Sequence, residues 1–241
     1  MITSTQNETI KDIIKLKQKK YRDEKELFLV EGYHLVEEAK KHGCVQSIIT
    51  TRDDRHDEET LYVSSHVMEK LAFTKTPQPI MAICKRNRTN QIDLNGKRYL
   101  LLDRVQDPGN VGTIMRTALA FGYDQVIMSN DCVDLYNDKV IRSTQGALFQ
   151  MNICVMDLID AIEILKQQNI HVYGTSLKNA KSIEECKQFD KMAFVMGNEG
   201  QGVSEEVLSL CETNAYIPIQ SIESLNVGIA SAIIMYHFNK E

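Results

Sequence analysis

The stretch LLLDRVQDPGNVGTIMRTALAFG, residues 100–122, joins a buried strand to a helix through an unusual loop. Its three leucines form an apolar run of the length that a covered parallel strand needs. The next ten residues are rich in groups that fix or free the backbone, and residues 113–121 then read as a helix that ends at Gly122. The stretch therefore predicts one strand–loop–helix unit of a parallel α/β sheet.

The loop of this unit has the chemistry of a polar ligand site. It carries Asp, Gln, Asp and Asn together with two glycines, and Arg116 lies early in the following helix. The plain alternative is that a tight turn needs Pro and Gly for steric reasons alone and that Arg116 is a surface residue. The loop has neither the GxGxxG spacing of dinucleotide sites nor the GxxxxGK[ST] spacing of nucleoside triphosphate sites. It indicates a ligand site of another kind.

The composition is that of an ordinary globular protein. The 241 residues are 43% hydrophobic and 25% charged, which fits one large core or two modest ones. The N-terminus has no apolar segment of signal-peptide length, and no run of about 18 apolar residues occurs, so we expect a cytoplasmic protein without a membrane partner. Six cysteines are scattered singly, without CxxC, so neither a disulfide framework nor a bound metal is expected.

Charge is distributed unevenly along the chain. The net charge is −5, yet residues 1–97 hold 17 Lys and Arg against 15 Asp and Glu, while residues 98–241 hold 11 against 18. The cationic side chains are densest in residues 11–22, on a helix with an isoleucine stripe. Such a run is usually a solvated face. It is also where contacts with RNA phosphates would be sought.

The front half reads as a small α/β domain of residues 1–92, and residues 93–241 form a second domain. The predicted front elements are helix 7–20, strand 27–30, helix 33–42, strands 45–50 and 61–63, helix 66–73 and strand 80–84. The rear half alternates strands and helices, which is typical of a parallel sheet covered on both faces. Its predicted strands are 100–102, 125–128, 152–155, 170–175, 193–196 and 215–219, and its helices include 113–121, 138–142, 158–168, one capped by Ser204, and one that Ser224 begins and caps.

Three strand ends of the rear half carry sequence motifs. They are DPGNVGTIMRTA (107–118), VMGNEGQGVS (195–204) and IPIQSIESLNVGIASA (217–232). In this order and spacing they resemble the three motifs of the SpoU or TrmH type RNA ribose 2′-O-methyltransferases of the SPOUT superfamily. KLKQKKYRDEKELFLVEGYHLVEEA (15–39) resembles the substrate-binding domain often placed ahead of that catalytic domain, which is similar to small ribosomal RNA-binding proteins. The third motif departs from the family pattern, since it lacks a Gly and one residue before Ser224.

The resemblance implies a fold, a cofactor and partners. The implied fold is α/β, with a C-terminal SPOUT trefoil-knot domain around a parallel sheet and a front RNA-binding domain. The implied cofactor is S-adenosylmethionine, bound in the knot, and the implied partners are RNA, ribosomal or transfer, and a second copy that pairs through the C-terminal domain. Neither the RNA nor the base follows from the front domain, because RNA is recognised through shape and unstacked nucleotides.

The resemblance also implies which residues bind the cofactor, largely through backbone groups. They are Thr175, Ser176, Gly197, Ile217, Ile219 and Leu225. At Gly197 a side chain would keep the backbone from approaching a flat ligand, although turn geometry explains a glycine equally well. For Ile217 and Leu225 the alternative is core packing.

Five further residues match the positions of the reaction site. They are Asn110, Arg116, Glu199, Ser224 and Asn226. A guanidinium rarely gives up its proton, so we expect Arg116 to hold the RNA phosphate and to position or polarise the ribose hydroxyl. Glu199 would orient Arg116 or accept from nearby backbone N–H groups, or it orders the loop without catalytic duty.

Three classes of function fit the sequence to different degrees. The leading prediction is methyl transfer from S-adenosylmethionine to a ribose 2′-hydroxyl of structured RNA, ribosomal RNA before transfer RNA. The alternative is a non-catalytic RNA-binding protein with a vestigial knot domain, against which the complete set of reaction-site residues argues. A nicotinamide dehydrogenase shares the strand–helix alternation but would need the glycine fingerprint that this chain lacks.

Overall fold

A computed structural model describes residues 1–222 and 224–239; residue 223 of the third motif lies outside the described residues. The chain forms two compact units, residues 1–87 with 134–150, and residues 88–133 with those from 151 onward. The sequence predicts a single domain boundary, between residues 92 and 93. It does not predict that residues 134–150 fold with the first unit. Among the described residues no helix is long and apolar enough to cross a membrane.

The first unit is a four-stranded sheet with helices packed on it. Its sheet has the order β1-β4-β2-β3, with β4 antiparallel to both its neighbours and β3 parallel to β2. The strands are β1 Leu27–Glu31, β2 Val45–Thr50, β3 Glu59–Tyr62 and β4 Ile80–Lys85. The helices are α1 Glu8–Lys15, α2 Lys19–Lys25, α3 Tyr33–Lys41, α4 Ser65–Leu71, α6 Asp138–Thr144 and α7 Ala147–Gln150.

The prediction of one basic helix over residues 7–20 is wrong, because the helix is interrupted after α1 and a second helix, α2, begins at Lys19. The Arg22 guanidinium donates to the carbonyls of Leu16 at 2.9 Å and Lys17 at 2.8 Å, which satisfies acceptors at the end of α1. Arg22 also pairs with Asp134, and only 6% of Arg22 is exposed. Arg22, one of the cationic residues in 11–22, is therefore buried and paired within the first unit and is not part of a solvated basic face.

The segment 134–150 is held in the first unit by aromatic and polar contacts. The rings of Phe28 and Tyr136 lie 4.6 Å apart, and those of Phe28 and Phe149 lie 6.3 Å apart. The Asn87 side chain donates to the carbonyl of Leu148 at 2.7 Å. These contacts pack the segment against β1 and leave Phe28 fully buried.

The second unit is a seven-stranded sheet in the order β7-β6-β5-β10-β8-β11-β9, and every pairing in it is parallel. Its strands are β5 Arg98–Leu102, β6 Gln125–Met128, β7 Ile153–Val155, β8 His171–Thr175, β9 Lys181–Ser182, β10 Met192–Met196 and β11 Thr213–Tyr216. Its helices are α5 Pro108–Ala120, α8 Leu158–Gln167, α9 Glu205–Leu210 and α10 Val227–His237. The predicted α/β class with a parallel sheet is confirmed.

Three predicted boundaries beside the site are wrong. Helix α5 begins at Pro108, not at residue 113, because proline fits the first helical position and the Asp107 side chain caps the helix by accepting from Asn110 N at 2.8 Å. Strand β11 ends at Tyr216, so residues 217–219 are not strand. The cap of α10 is Asn226, whose Oδ1 accepts from Gly228 N and Ile229 N, and not Ser224.

Candidate active site

Three segments meet at the carboxyl edge of the second unit's sheet. The first segment, residues 103–110, follows β5; the second, residues 197–204, follows β10; the third, residues 217–226, follows β11. Strand β10 lies between β5 and β8, and β11 lies on the other side of β8. Because all these strands are parallel, the three segments leave the sheet at the same edge, where ligands of such sheets bind.

A chain of hydrogen bonds joins the three segments through Asn110. Its Nδ2 donates to Glu199 Oε1 at 3.0 Å, and its Oδ1 accepts from Asn226 Nδ2 at 2.8 Å. The opposite amide orientation would set two oxygen atoms against each other at Glu199, so the carboxylate fixes which way the Asn110 amide faces. Asn110 is buried. The network therefore places one residue from each motif in contact.

Glu199 acts as an acceptor for the first segment. Besides the Asn110 amide, it accepts from Asp107 N at 2.9 Å and from Gln106 N at 3.2 Å. Partial burial alone would raise the pKa of Glu199, but these hydrogen bonds outweigh it and hold the pKa below its ordinary value. Of the roles predicted for Glu199, the structure has the one that accepts from backbone N–H groups.

Arg116 stands apart from this network. It lies on the exposed side of α5 and makes no hydrogen bond or ion pair with residues 1–222 or 224–239, Glu199 included. A guanidinium left without a partner next to a polar ligand site is available for an anionic group of a ligand.

The sequence did not reveal a clamp between the first and second segments. Buried Asp103 accepts from Ser204 N at 2.7 Å and pairs with Arg104 Nε at 3.0 Å. Arg104 reaches on to Gln201 Oε1 at 2.9 Å, and its own carbonyl accepts from Asn198 Nδ2 at 2.8 Å. Since Arg104 has a φ of 56°, a rare conformation for a residue other than glycine, the clamp holds a strained backbone. No local pattern in the sequence signals it.

The second segment also explains Gly197. A Cβ there would lie 2.1 Å from the backbone of both Gly202 and Val203. Asn198 N and Gly202 N each donate to the other's carbonyl, at 3.0 Å and 2.9 Å, which closes the segment into a tight loop. Turn geometry, the alternative considered for this glycine, is thus sufficient to require it.

The third segment has few internal contacts. Ile217, Ile219 and Leu225 are half-buried, Ser224 is exposed, and none of the four makes a hydrogen bond within the described part of the chain. Their backbone groups therefore need a partner from elsewhere, water or a ligand.

Thr175 and Ser176 lie at the end of β8, beside the third segment. The Thr175 hydroxyl donates to the Val195 carbonyl at 2.8 Å, and Ser176 N donates to the Ala215 carbonyl at 3.1 Å. These bonds fix the two residues at the sheet edge between β10 and β11. The described residues hold no group of three or more His, Cys, Asp or Glu suited to a metal ion.

Comparison with protein families matches both halves of the chain. The SpoU rRNA Methylase family matches residues 97–236, and the MRM3-like substrate binding domain matches residues 7–82. The chain is 38% identical over 244 residues to RlmP of Bacillus subtilis, a 23S rRNA (guanosine(2553)-2′-O)-methyltransferase, with 98% of each protein covered.

Solved structures resemble the chain over nearly its whole length. An AdoMet-bound rRNA methyltransferase from Sinorhizobium meliloti is 28% identical, with a TM-score of 0.90 and coverage of 98% of this chain and 96% of that one. The SpoU methyltransferase AviRb from Streptomyces viridochromogenes, in complex with AdoMet, has a TM-score of 0.86 at 23% identity and 97% coverage of both chains, a likeness of fold.

Proposed function

Because this chain belongs to the SpoU rRNA Methylase family, we propose that it transfers a methyl group from S-adenosylmethionine to a ribose 2′-hydroxyl of 23S ribosomal RNA. The observation that carries the proposal is the Glu199–Asn110–Asn226 network, which joins the three motifs at one sheet edge. The Bacillus subtilis relative is named for guanosine 2553, and we propose that nucleotide as the target here. We also propose that the protein acts in the cytoplasm, on ribosomal RNA.

The third segment fits S-adenosylmethionine. The unpartnered backbone groups of Ile217, Ile219 and Leu225, beside Thr175, Ser176 and Gly197, provide donors and acceptors for an adenine and an amino acid on a half-buried surface. When bound, S-adenosylmethionine supplies a methyl group on a sulfonium, which an oxygen nucleophile attacks in line with the departing sulfur.

Arg116 and Asn110 position the nucleophile in this proposal. A guanidinium remains charged at neutral pH, so Arg116 holds the phosphate next to the reacting ribose and is not the proton acceptor. Asn110 Oδ1 already accepts from Asn226 and has a second lone pair with which to accept from the 2′-hydroxyl. That contact would orient the 2′-hydroxyl. The hydroxyl proton would be released to solvent water as the O–CH₃ bond forms and the S–CH₃ bond breaks. Ser224, exposed two positions before Asn226, is proposed to contribute a further hydroxyl.

We also propose a homodimer through the second unit and retain the trefoil knot as a prediction. Helix α10 is apolar on nearly every face, yet Ile229 is 52% exposed and Tyr236 is 60% exposed. Helices that are apolar all round are normally buried. A second copy packed on α10 would cover both side chains, and sedimentation analysis of the purified protein tests this.

The proposed function is tested with the purified chain in two assays. We expect calorimetry to give stoichiometric binding of S-adenosylmethionine and no binding of NAD, and labelled methyl groups to appear on a 23S rRNA fragment containing guanosine 2553. Binding of RNA without S-adenosylmethionine binding at millimolar concentration would support the non-catalytic alternative and overturn the proposal. Methylation at another nucleotide would overturn only the assigned target.

A further inference from the structure

A turn that belongs to none of the three motifs lies beside the reaction site. This connecting turn, residues 129–133, follows β6, which pairs in parallel with β5, so it leaves the sheet at the same edge as the first segment. Ser129 begins the turn; it is buried, and its N–H donates to the Leu102 carbonyl at 3.0 Å. The motifs and the proposed reaction give the connecting turn no role.

The connecting turn is hydrogen-bonded to three consecutive residues of the first segment, 104–106. The bonds run from Arg104 N to Ser129 Oγ at 3.0 Å, from Val133 N to the Val105 carbonyl at 2.9 Å, and from Gln106 Nε2 to the Asp131 carbonyl. Gln106 N also donates to Glu199 Oε2 at 3.2 Å, and Glu199 in turn accepts from Asn110. A displacement of the turn would therefore move groups of the reaction site.

The far end of the connecting turn is anchored in the first unit. The next residue, Asp134, forms an ion pair with Arg22 and accepts from Tyr136 N at 3.2 Å. The side chains of Asp134 and Arg22 are only 15% and 7% exposed, so water and salt weaken their attraction little. Each of these contacts lies within one unit, and the peptide bond between residues 133 and 134 joins the two sets.

We propose that the connecting turn is a fourth segment of the reaction site, which positions the first segment, and that Arg22 and Asp134 are positioning residues that fix the turn. This role rests on the proposed methyltransferase function. Methyl transfer needs oxygen, carbon and sulfur in line, and a misplacement of about 1 Å caused far from the reacting atoms can cost about 100-fold in rate. The first unit thereby contributes to kcat, which the capture of RNA alone would not change.

Asp134→Asn tests the anchor, with Glu58→Gln as the matched control. Both variants turn a carboxylate into an amide in a mostly buried ion pair of the first unit, since Glu58 Oε2 lies 3.1 Å from Lys40 Nζ. We expect both to lower Tm, because each leaves a mostly buried cation without its counter-charge. Well below Tm, only Asp134→Asn should lower saturated kcat, by about tenfold. Its KM for the 23S rRNA fragment and its Kd for S-adenosylmethionine should stay near the parent values.

Gln106→Ala tests the contact between the turn and the first segment without changing the ion pair. Gln106 is exposed and the variant keeps the backbone donation to Glu199, so Tm should change little. The matched control is Gln167→Ala, since Gln167 is exposed on α8 and its side chain makes no hydrogen bond within the described part of the chain. We expect Gln106→Ala to lower kcat several-fold and the control to leave it unchanged.

Hydrogen exchange gives a readout that needs no activity. The amides of Gln106 and Asp107 should exchange faster in Asp134→Asn than in Glu58→Gln, because only the former loosens the connecting turn.

The outcomes separate the positioning role from the function it rests on. Equal kcat in Asp134→Asn and Glu58→Gln, a rise in KM alone, or parent-like kcat in Gln106→Ala would each overturn it. If Asp134→Asn does not fold, Gln106→Ala and its control decide. If the parent protein binds no S-adenosylmethionine, the methyltransferase proposal fails, and exchange of the Gln106 and Asp107 amides still decides whether Asp134 holds the first segment.

Discussion

The first and second segments of the site are joined by many hydrogen bonds, whereas among the described residues the third is hydrogen-bonded to them only through Asn226. Glu199, Asp103 and Arg104 tie residues 103–110 to residues 197–204 by repeated side-chain and backbone hydrogen bonds. Residues 217–222, 224 and 225 make no such bond within the described chain. The segments proposed to bind the ribose are thus held in place by hydrogen bonds without a ligand. The segment proposed to bind the cofactor has backbone groups whose hydrogen-bond partners a bound ligand would supply.

The largest effect should come from Arg116, an exposed cation on α5 that makes no hydrogen bond or ion pair with the described residues. Arg116→Lys keeps the charge but loses the two-pronged contact with a phosphate, so we expect kcat to fall about 100-fold or more. Tm should change little, because Arg116 is exposed and makes no hydrogen bond or ion pair among the described residues. Near-normal turnover in this variant would contradict the proposed phosphate contact.

Hydrogen exchange tests the comparison directly. Without S-adenosylmethionine, the amides of residues 217, 219–222, 224 and 225 should exchange fast and those of residues 106, 107, 198 and 202 slowly, since of these two sets only the latter donate hydrogen bonds within the described part of the chain. Addition of S-adenosylmethionine at about 100 times its Kd should slow the third segment at least tenfold and leave the first two nearly unchanged. Equal protection of all three segments before addition would remove the distinction.

Asn226 hydrogen-bonds the third segment to Asn110 and also caps α10, and a pair of variants separates these two functions. Asn226→Ser keeps a good cap for α10 but loses the amide that donates to Asn110, so we expect kcat to fall about tenfold with little change in Tm. Asn226→Ala should lower kcat similarly and also cost about 1 kcal/mol of stability. Full activity of the serine variant would assign Asn226 to capping alone.

Glu199 should give a smaller effect with a defined pH dependence. Its folded pKa is depressed, so its contribution to stability is complete above the ordinary pKa of 4.5 and is lost as the pH falls through the lower folded value. Activity should therefore show no Glu199 titration above about pH 6. Glu199→Gln should lower kcat several-fold at every pH, and a pH–rate profile whose shape changes near neutrality in this variant would contradict the assignment.

The smallest effect concerns the strained residue of the clamp. Arg104→Ala loses the contacts and keeps the unfavourable φ, whereas Arg104→Gly loses the same contacts and relieves it. We expect the glycine variant to be more stable than the alanine variant by about 1 kcal/mol in urea unfolding. Both should change the KM for RNA by less than about twofold, because Arg104 acts by holding the second segment.

The sequence predicted the strands and helices that have a local periodic pattern. It did not predict the features that depend on hydrogen bonds or ion pairs between residues distant in sequence. The strand–helix alternation predicted that the three segments leave the sheet at one edge, and the resemblance to the SpoU or TrmH type enzymes selected Asn110, Glu199 and Asn226 within them. Proline favours the first helical position, so Pro108 indicates where α5 begins, and the prediction of a start at residue 113 did not use this indication. The Arg104 clamp was not readable, since a left-handed φ at an arginine depends on partners about a hundred positions away along the chain. The interruption between α1 and α2 could not be predicted either, because it involves Arg22, whose ion-pair partner Asp134 is distant in sequence.

The location of residues 134–150 in the first unit has a consequence for synthesis on the ribosome. Phe28 is exposed early in translation, but the rings that cover it, Tyr136 and Phe149, emerge only after the first strands of the second unit have been made. At about 5–20 residues per second, the sixty or so residues beyond position 87 take roughly 3–12 seconds to appear. The front unit therefore completes its packing only while its successor is already forming, and a chain cut near the predicted boundary would leave an apolar sheet face open in one fragment and its cover in the other.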